Sequence, residues 1–186
     1  MAKTKSKVRP KKKTKAIAKK AKPVVKKAKP AVKKIKSIPD GYHTATPYLV
    51  VRGAAAAIDY YKNAFNALEL VRMEGPGGRI GHAEIRIGNS PIMLADEHPE
   101  MGARSPHAIG GTPVGIVLYV EDVDSVFDKA VATGATVKQP VEDKFYGDRM
   151  GTLTDPFGHQ WSIGTHKEDV SPQEMQKRMA AMQGST

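Results

Sequence analysis

The chain has 186 residues, a formal net charge of +11 and no cysteine. Its charge is unevenly placed: residues 1–37 hold 17 Lys and Arg and no acid, and the remainder holds 13 basic and 19 acidic side chains. The missing thiol excludes disulfide scaffolds, thiolate zinc sites, iron–sulfur clusters and cysteine nucleophiles, and no stretch approaches the roughly 18 apolar residues needed to span a membrane.

Residues 1–40 read as an arm. Its apolar residues are small and isolated, and Pro10, Pro23, Pro30 and Pro39 interrupt any long helix. Much like charge with little to bury predicts a segment that is disordered when free. The repeated Ala-Lys-Pro units at Ala21–Pro23 and Ala28–Pro30 resemble the tails of linker histones and lysine-rich nucleoid proteins. Lysine attracts phosphate without reading bases, and residues 1–41 hold no aromatic ring to stack on one. The candidate phosphate contacts are Lys11, Lys12, Lys13, Lys19, Lys20, Lys26, Lys27, Lys33 and Lys34. Non-specific nucleic acid is one expected partner; another polyanion, or a purely solubilising role, stays open.

From Tyr42 the composition becomes that of one globular domain, expected over 41–166, with a helix and tail over 167–186. Thr46–Arg52 is rich in β-branched and aromatic residues and predicts a strand. Ala54–Ala67 predicts a helix, with Ile58, Tyr61, Phe65 and Leu68 at three- and four-residue spacing. Glu69–Met73, Gly81–Ile87 and Pro91–Ala95 predict strands, separated by Gly75–Gly78 and the turn Gly88-Asn89. The order then repeats: strand Val114–Val120, helix Val123–Thr133, strand Ala135–Pro140, and a hairpin Phe145–Leu153 to Gln160–Thr165 across Asp155-Pro-Phe-Gly158. A shift of 69 positions superposes Val51 on Val120, Ile58 on Phe127 and Ile92 on Trp161. The reading is an α+β fold of two tandem βαβββ modules, 41–104 and 112–166. Ser171-Pro-Gln-Glu174 then predicts a capped helix with Met175, Met179 and Met182 on one face.

The paired order, together with Val120–Asp124, Gly147-Asp-Arg149 and Asp155-Pro-Phe-Gly-His-Gln-Trp161, resembles the vicinal oxygen chelate superfamily of glyoxalases, dioxygenases and bleomycin- and fosfomycin-resistance proteins. Tyr60–Phe65 and Ile92–Asp96 bring it nearest the PhnB-like branch. The resemblance implies a mixed-sheet half-barrel around a ligand cavity, a homodimer and, in members that do chemistry, a divalent metal. The positions matching the family's ligands fall on Thr46, on Gly115, on Ser162 and between Ile92 and Leu94. None supplies an imidazole, carboxylate or amide, so the expectation is a cavity with no metal and no cofactor.

Strand alternation sorts the faces. Ala83, Ile85 and Ile87 belong beneath the helices, so His82, Glu84 and Arg86 share the opposite face. By the same parity the candidate ligand-binding residues are Thr46, Tyr48, His82, Glu84, Gly115, Val117, Tyr119, Tyr146, Arg149 and Ser162. His82 and Glu84 are the candidate catalytic pair, since imidazole beside carboxylate can exchange protons or ligate a relocated metal. Arg149 can clamp an anion or pair with Asp148 or Asp155.

Three functions remain open on the sequence. The first is a cytoplasmic protein that binds a small, hydrophobic or aromatic molecule, tethered to nucleic acid by its arm. The second is a metal-dependent lyase, isomerase or dioxygenase with relocated ligands. The third is a nucleoid-associated protein whose folded part joins two arms.

Overall fold

The computed structural model describes residues 35–183, so the arm's lysines from Lys11 to Lys34 lie outside the described residues. Module one comprises β1 (Tyr48–Val51), α1 (Ala54–Phe65), β2 (Leu68–Glu74), β3 (Ile80–Ile87) and β4 (Ser90–Asp96). A connection with the short helix α2 (Pro106–Ile109) leads to β5 (Gly115–Tyr119), α3 (Val123–Ala132), β6 (Thr136–Asp143), β7 (Asp148–Thr154) and β8 (Gln160–His166), and α4 (Pro172–Gln183) follows. The fold is α+β, as the sequence predicts. Each module is a four-stranded mixed sheet, ordered β1-β4-β3-β2 in one and β5-β8-β7-β6 in the other. The first strand runs parallel to the last, and the other pairings are antiparallel.

Apolar alternation decides which face of each sheet the helices cover. Ala83, Ile85 and Ile87 on β3, and Leu153, Trp161 and Ile163 on β7 and β8, are buried. α1 and α3 pack against each other, and the Lys129 ammonium reaches the Asn66 side chain at 2.8 Å. Phe65 lies 4.8 Å from the Trp161 ring and Tyr61 lies 5.5 Å from it, so module one's helix completes module two's core.

At the centre sits the carboxylate of Asp155, which is buried. It accepts Tyr61 O–H at 2.7 Å, Trp161 Nε1–H at 2.8 Å, and the backbone N–H groups of Phe157 and His159 at 2.9 Å each. A buried charge is tolerated when its lone pairs are taken up in this way. Burial, then the neighbouring Asp155 charge, pushes the Tyr61 hydroxyl well above the ordinary tyrosine range.

The 69-residue repeat extends to the helix caps. Asp96, at the end of β4, accepts the Gly53 and Ala54 N–H groups that open α1, at 2.9 and 2.8 Å, and also Ile80 N–H at 2.8 Å. Its counterpart Thr165, at the end of β8, accepts the Val123 N–H that opens α3 at 2.9 Å and donates to the Val120 carbonyl. Both supply partners to donors that a helix start leaves without one.

Two strand ends differ from the sequence reading by three residues, and one cap differs in its partners. The hairpin strand β7 begins at Asp148 rather than Phe145, because Gly147 turns with φ of +99° against the Glu168 carbonyl, where a Cβ has no room. β6 continues past Pro140 to Asp143, which its place at the sheet edge and the register shift between Gln139 and Glu142 permit. At α4, Ser171 Oγ accepts the Glu174 N–H at 3.2 Å, while the Glu174 carboxylate turns to Arg178.

Candidate functional site

On the sheet faces that the helices leave open, β1 and β5 flank a cleft of about 680 Å³. It brings together Thr46, Tyr48, Gly115 and Val117 from the sequence-derived set and adds Arg104, Ile109, Val114 and His159. Tyr48, Ile109, Val114 and Val117 are all more or less half-exposed or beyond, so the walls are apolar surface open to solvent. Arg104 makes no ion pair or hydrogen bond among the described residues, and its cation is available to a ligand. His159 is held across the module boundary, its Nε2 lying 3.2 Å from the Val50 carbonyl.

A hydrogen-bonded chain runs from this cleft over module one. Tyr48 O–H lies 3.2 Å from His82 Nδ1, His82 Nε2 lies 3.1 Å from Glu84 Oε1, and Tyr42 O–H donates to Glu84 Oε2. The hydrogen bond from Tyr42, then that from His82, lowers the Glu84 carboxyl below its ordinary value, and the same contact raises the Tyr42 hydroxyl. An ionised Glu84 can only accept, so in the neutral form of His82 the proton sits on Nε2 and a lone pair is presented at Nδ1. Tyr48 then donates to His82, and the phenol oxygen turns its own lone pairs to the cleft. Both ring nitrogens of His82 are engaged, so a proton would pass between His82 and a cleft ligand through the Tyr48 hydroxyl.

The remaining candidates lie apart from the cleft. Ser162 is hydrogen-bonded to Thr152 at 3.2 Å, beneath the β5 register position of Val117. Tyr119 donates to Asp148 at 2.7 Å, and Asp148 also meets His166 Nδ1 at 2.7 Å. Tyr146 points its hydroxyl at Met150 Sδ. Arg149 faces the other way: its guanidinium is paired with Asp124 at 2.7 and 2.8 Å and reaches Asp143 at 3.4 Å. That pairing differs from the Asp148 or Asp155 partners considered from sequence, because Arg149 alternates with Asp148 and shares the helix-packed side with Gly151 and Leu153.

Thr46, Gly115, Ser162 and, between Ile92 and Leu94, Met93 stand where the resemblance would put metal ligands. Met93 pairs with Glu84 and Tyr48 in register, as Ser162 pairs with Thr152 and Val117. Two hydroxyls, a thioether and a hydrogen do not fit a divalent ion that needs three or four nitrogen or oxygen ligands. Among the described residues no group of three or more His, Cys, Asp or Glu side chains is placed to hold one. The nearby Asp96–His98 segment is structural: Asp96 caps α1, and Glu97 accepts the Ser105 N–H and O–H and Arg52.

Sequence alternation found the β-strand residues of the cleft and missed Tyr42, Arg104 and Ile109, which come from irregular segments and a four-residue helix. His159 sat in plain view in Asp-Pro-Phe-Gly-His, but its contact to Val50 crosses modules 109 positions apart.

Two four-stranded βαβββ modules, with an open cleft between their first strands, define a class of small α+β proteins. Residues 42–163 match the model of the Glyoxalase/Bleomycin resistance protein/Dioxygenase superfamily, and the chain belongs to that family. It is 48% identical over 139 residues to an uncharacterised protein of Mycobacterium bovis, covering 73% of this chain and 91% of that one. Among solved structures, TioX from Micromonospora is similar with a TM-score of 0.53 and 26% identity, over 69% of this chain and all of that one. The PhnB protein of Bacillus cereus shares the fold, with a TM-score of 0.53 at 18% identity, over 66% of this chain and 99% of that one. Among the described residues no helix is long and apolar enough to cross a membrane.

Proposed function

We propose that the protein binds a small, largely apolar or aromatic molecule in the cleft between β1 and β5, without a metal ion. The observation that carries this reading is the cleft's composition: apolar walls, the Arg104 guanidinium, unpaired among the described residues, the Tyr48 phenol oxygen, and Thr46, Thr112 and His159. Few, well-placed polar groups on an apolar surface give orientation and leave burial to supply affinity. The ligand offers an anionic or acceptor group to Arg104 and a donor to Tyr48. The family's description names bleomycin-resistance proteins beside glyoxalases and dioxygenases, and sequestration is the mode of this proposal. A PhnB-like affiliation rests on Tyr60–Phe65, Ile92–Asp96 and the Bacillus fold likeness. A second copy of the chain would cover the exposed Leu68, Val71 and Met73 of β2. A second reading, proton transfer through Tyr48, draws on the His82–Glu84 contact.

Gly115 has open space where a Cβ would stand, so Gly115→Leu fills the cleft with stability changed by only about 0.5 kcal/mol. The variant is expected to weaken binding of anilinonaphthalene sulfonate at least about tenfold. Undiminished binding, or a stoichiometric metal in protein purified without chelator, would sink the reading. The basic arm, in this proposal, tethers the domain to nucleic acid in the cytoplasm and at the nucleoid. Duplex DNA should bind with a log–log salt slope of about −0.9 per phosphate neutralised, and deletion of residues 1–37 should abolish that binding.

A further inference from the structure

The segment that joins the lysine-rich arm to the domain is not a free tether. From Lys36 it forms a turn, with the Tyr42 N–H donating to the Pro39 carbonyl at 3.2 Å and Gly41 supplying a left-handed φ of +86°. Beyond the turn it crosses the open face of module one. Tyr42 O–H reaches Glu84 on β3, and His43 Nε2 lies 3.3 Å from the Asn89 carbonyl at the β3–β4 turn. Between segment and sheet lies a space of about 550 Å³ that includes Ile38, Pro39, Tyr42, Glu84 and Met93. The segment thus stands over Met93 of β4. Its polar attachments to the sheet are at Glu84 and at the Asn89 carbonyl.

We propose that residues 36–44 form a latched strap over the open face of module one, closed by the Tyr42–Glu84 hydrogen bond and coupled through His82 to the hydroxyl of Tyr48. The physical basis is the order of the contacts. Glu84 receives Tyr42 on one oxygen and His82 on the other, and His82 receives Tyr48 on its second nitrogen. Opening the strap removes one of the two donors on the carboxylate. The charge is then satisfied by water or more strongly by His82, and the electron density at His82 Nδ1 changes with it. The Tyr48 O–H, whose acceptor is that nitrogen, responds in turn. The strap directly follows the arm in sequence, so whatever engages the arm pulls on Tyr42 before it reaches β1. This deepens the cleft reading only at its last step, the effect on Tyr48. The latch itself stands independently of whether the cleft holds a ligand.

The test needs no ligand. In the full chain, Tyr42→Phe keeps the ring and removes the donor. A hydrogen bond to a charged group is strong enough that its loss should accelerate exchange of the residue-42 amide, which donates to the Pro39 carbonyl, by about tenfold or more. Exchange in β1 and α1 should stay unchanged. The imidazole resonances of His82 should shift in the same variant. Glu84→Gln, which weakens the acceptor from the sheet side, should give the same acceleration, and the double variant should add nothing further. A short duplex DNA bound to the wild-type chain should also speed exchange at this amide. The proposal is overturned if it already exchanges at the rate of an unstructured peptide in the wild type. It is equally overturned if Tyr42→Phe leaves both its exchange and the His82 resonances unmoved. A cleft that fails to bind anilinonaphthalene sulfonate alters none of these readouts, so the two proposals fail separately.

Discussion

The two modules share strand order, a helix on the same side of the sheet and a cap donated from the same position of the last strand. Their open faces carry different chemistry. Module one presents Tyr48, His82 and Glu84 under a strap, whereas module two presents Val117, the hydroxyls of Thr152 and Ser162, and farther along Tyr119 with Asp148 and His166. A repeat therefore constrains the side that packs far more tightly than the side that binds. Each buried residue must fit several neighbours at once, and a residue on an open face answers only to its ligand or to water. The asymmetry gathers the hydrogen-bonded Tyr48, His82 and Glu84 on module one's side, with His159, Gly115 and Val117 on the other.

The comparison can be broken hardest at the core that the modules share. Asp155 holds four donors from both modules, so Asp155→Ala leaves Tyr61 and Trp161 with buried, unpartnered polar groups. The expected loss is about 3–5 kcal/mol, read from urea unfolding. A loss of less than about 1 kcal/mol would mean that the two modules do not depend on this hub.

The caps sharpen it at intermediate size. Asp96→Ala removes a charged acceptor from three N–H groups and should cost about 2–3 kcal/mol. Thr165→Val removes one accepted bond and should cost about 1 kcal/mol. Equal losses in paired unfolding measurements would show that charge adds nothing to the cap in module one.

The smallest effect is a pH dependence confined to module two. The hydrogen bond to Asp148, then that to Asp169, raises His166 above its ordinary value of 6.5. A group whose folded value is raised stabilises fully below its unfolded value, and the contribution fades as pH rises through the folded one. Wild-type stability should therefore fall slightly through that window relative to Asp148→Asn, with the His166 titration followed by NMR. A midpoint below the ordinary value would contradict the contact.

Much of this was legible because period-two patterns are written residue by residue. Ala83, Ile85 and Ile87 alternate with His82, Glu84 and Arg86, and that alone assigned both faces of β3. The cap at Asp96 and the hub at Asp155 were not legible. An aspartate in a strand end or a turn reads the same whether it meets solvent or gathers four donors from distant segments. Arg149 shows the same limit, since its sequence neighbours Asp148 and Met150 face the other side and its partners Asp124 and Asp143 lie elsewhere in the chain.

The sequence by itself determined the two modules, their order and the sides their apolar residues take. These follow from local periodicity and residue chemistry, which need no partner to be read. Only the tertiary structure decided that Tyr42 meets Glu84, that Arg104 joins Tyr48 in lining the cleft, and that Asp155 joins the modules. Each depends on where segments far apart in the chain come to rest, and that is set by the packing of the whole domain.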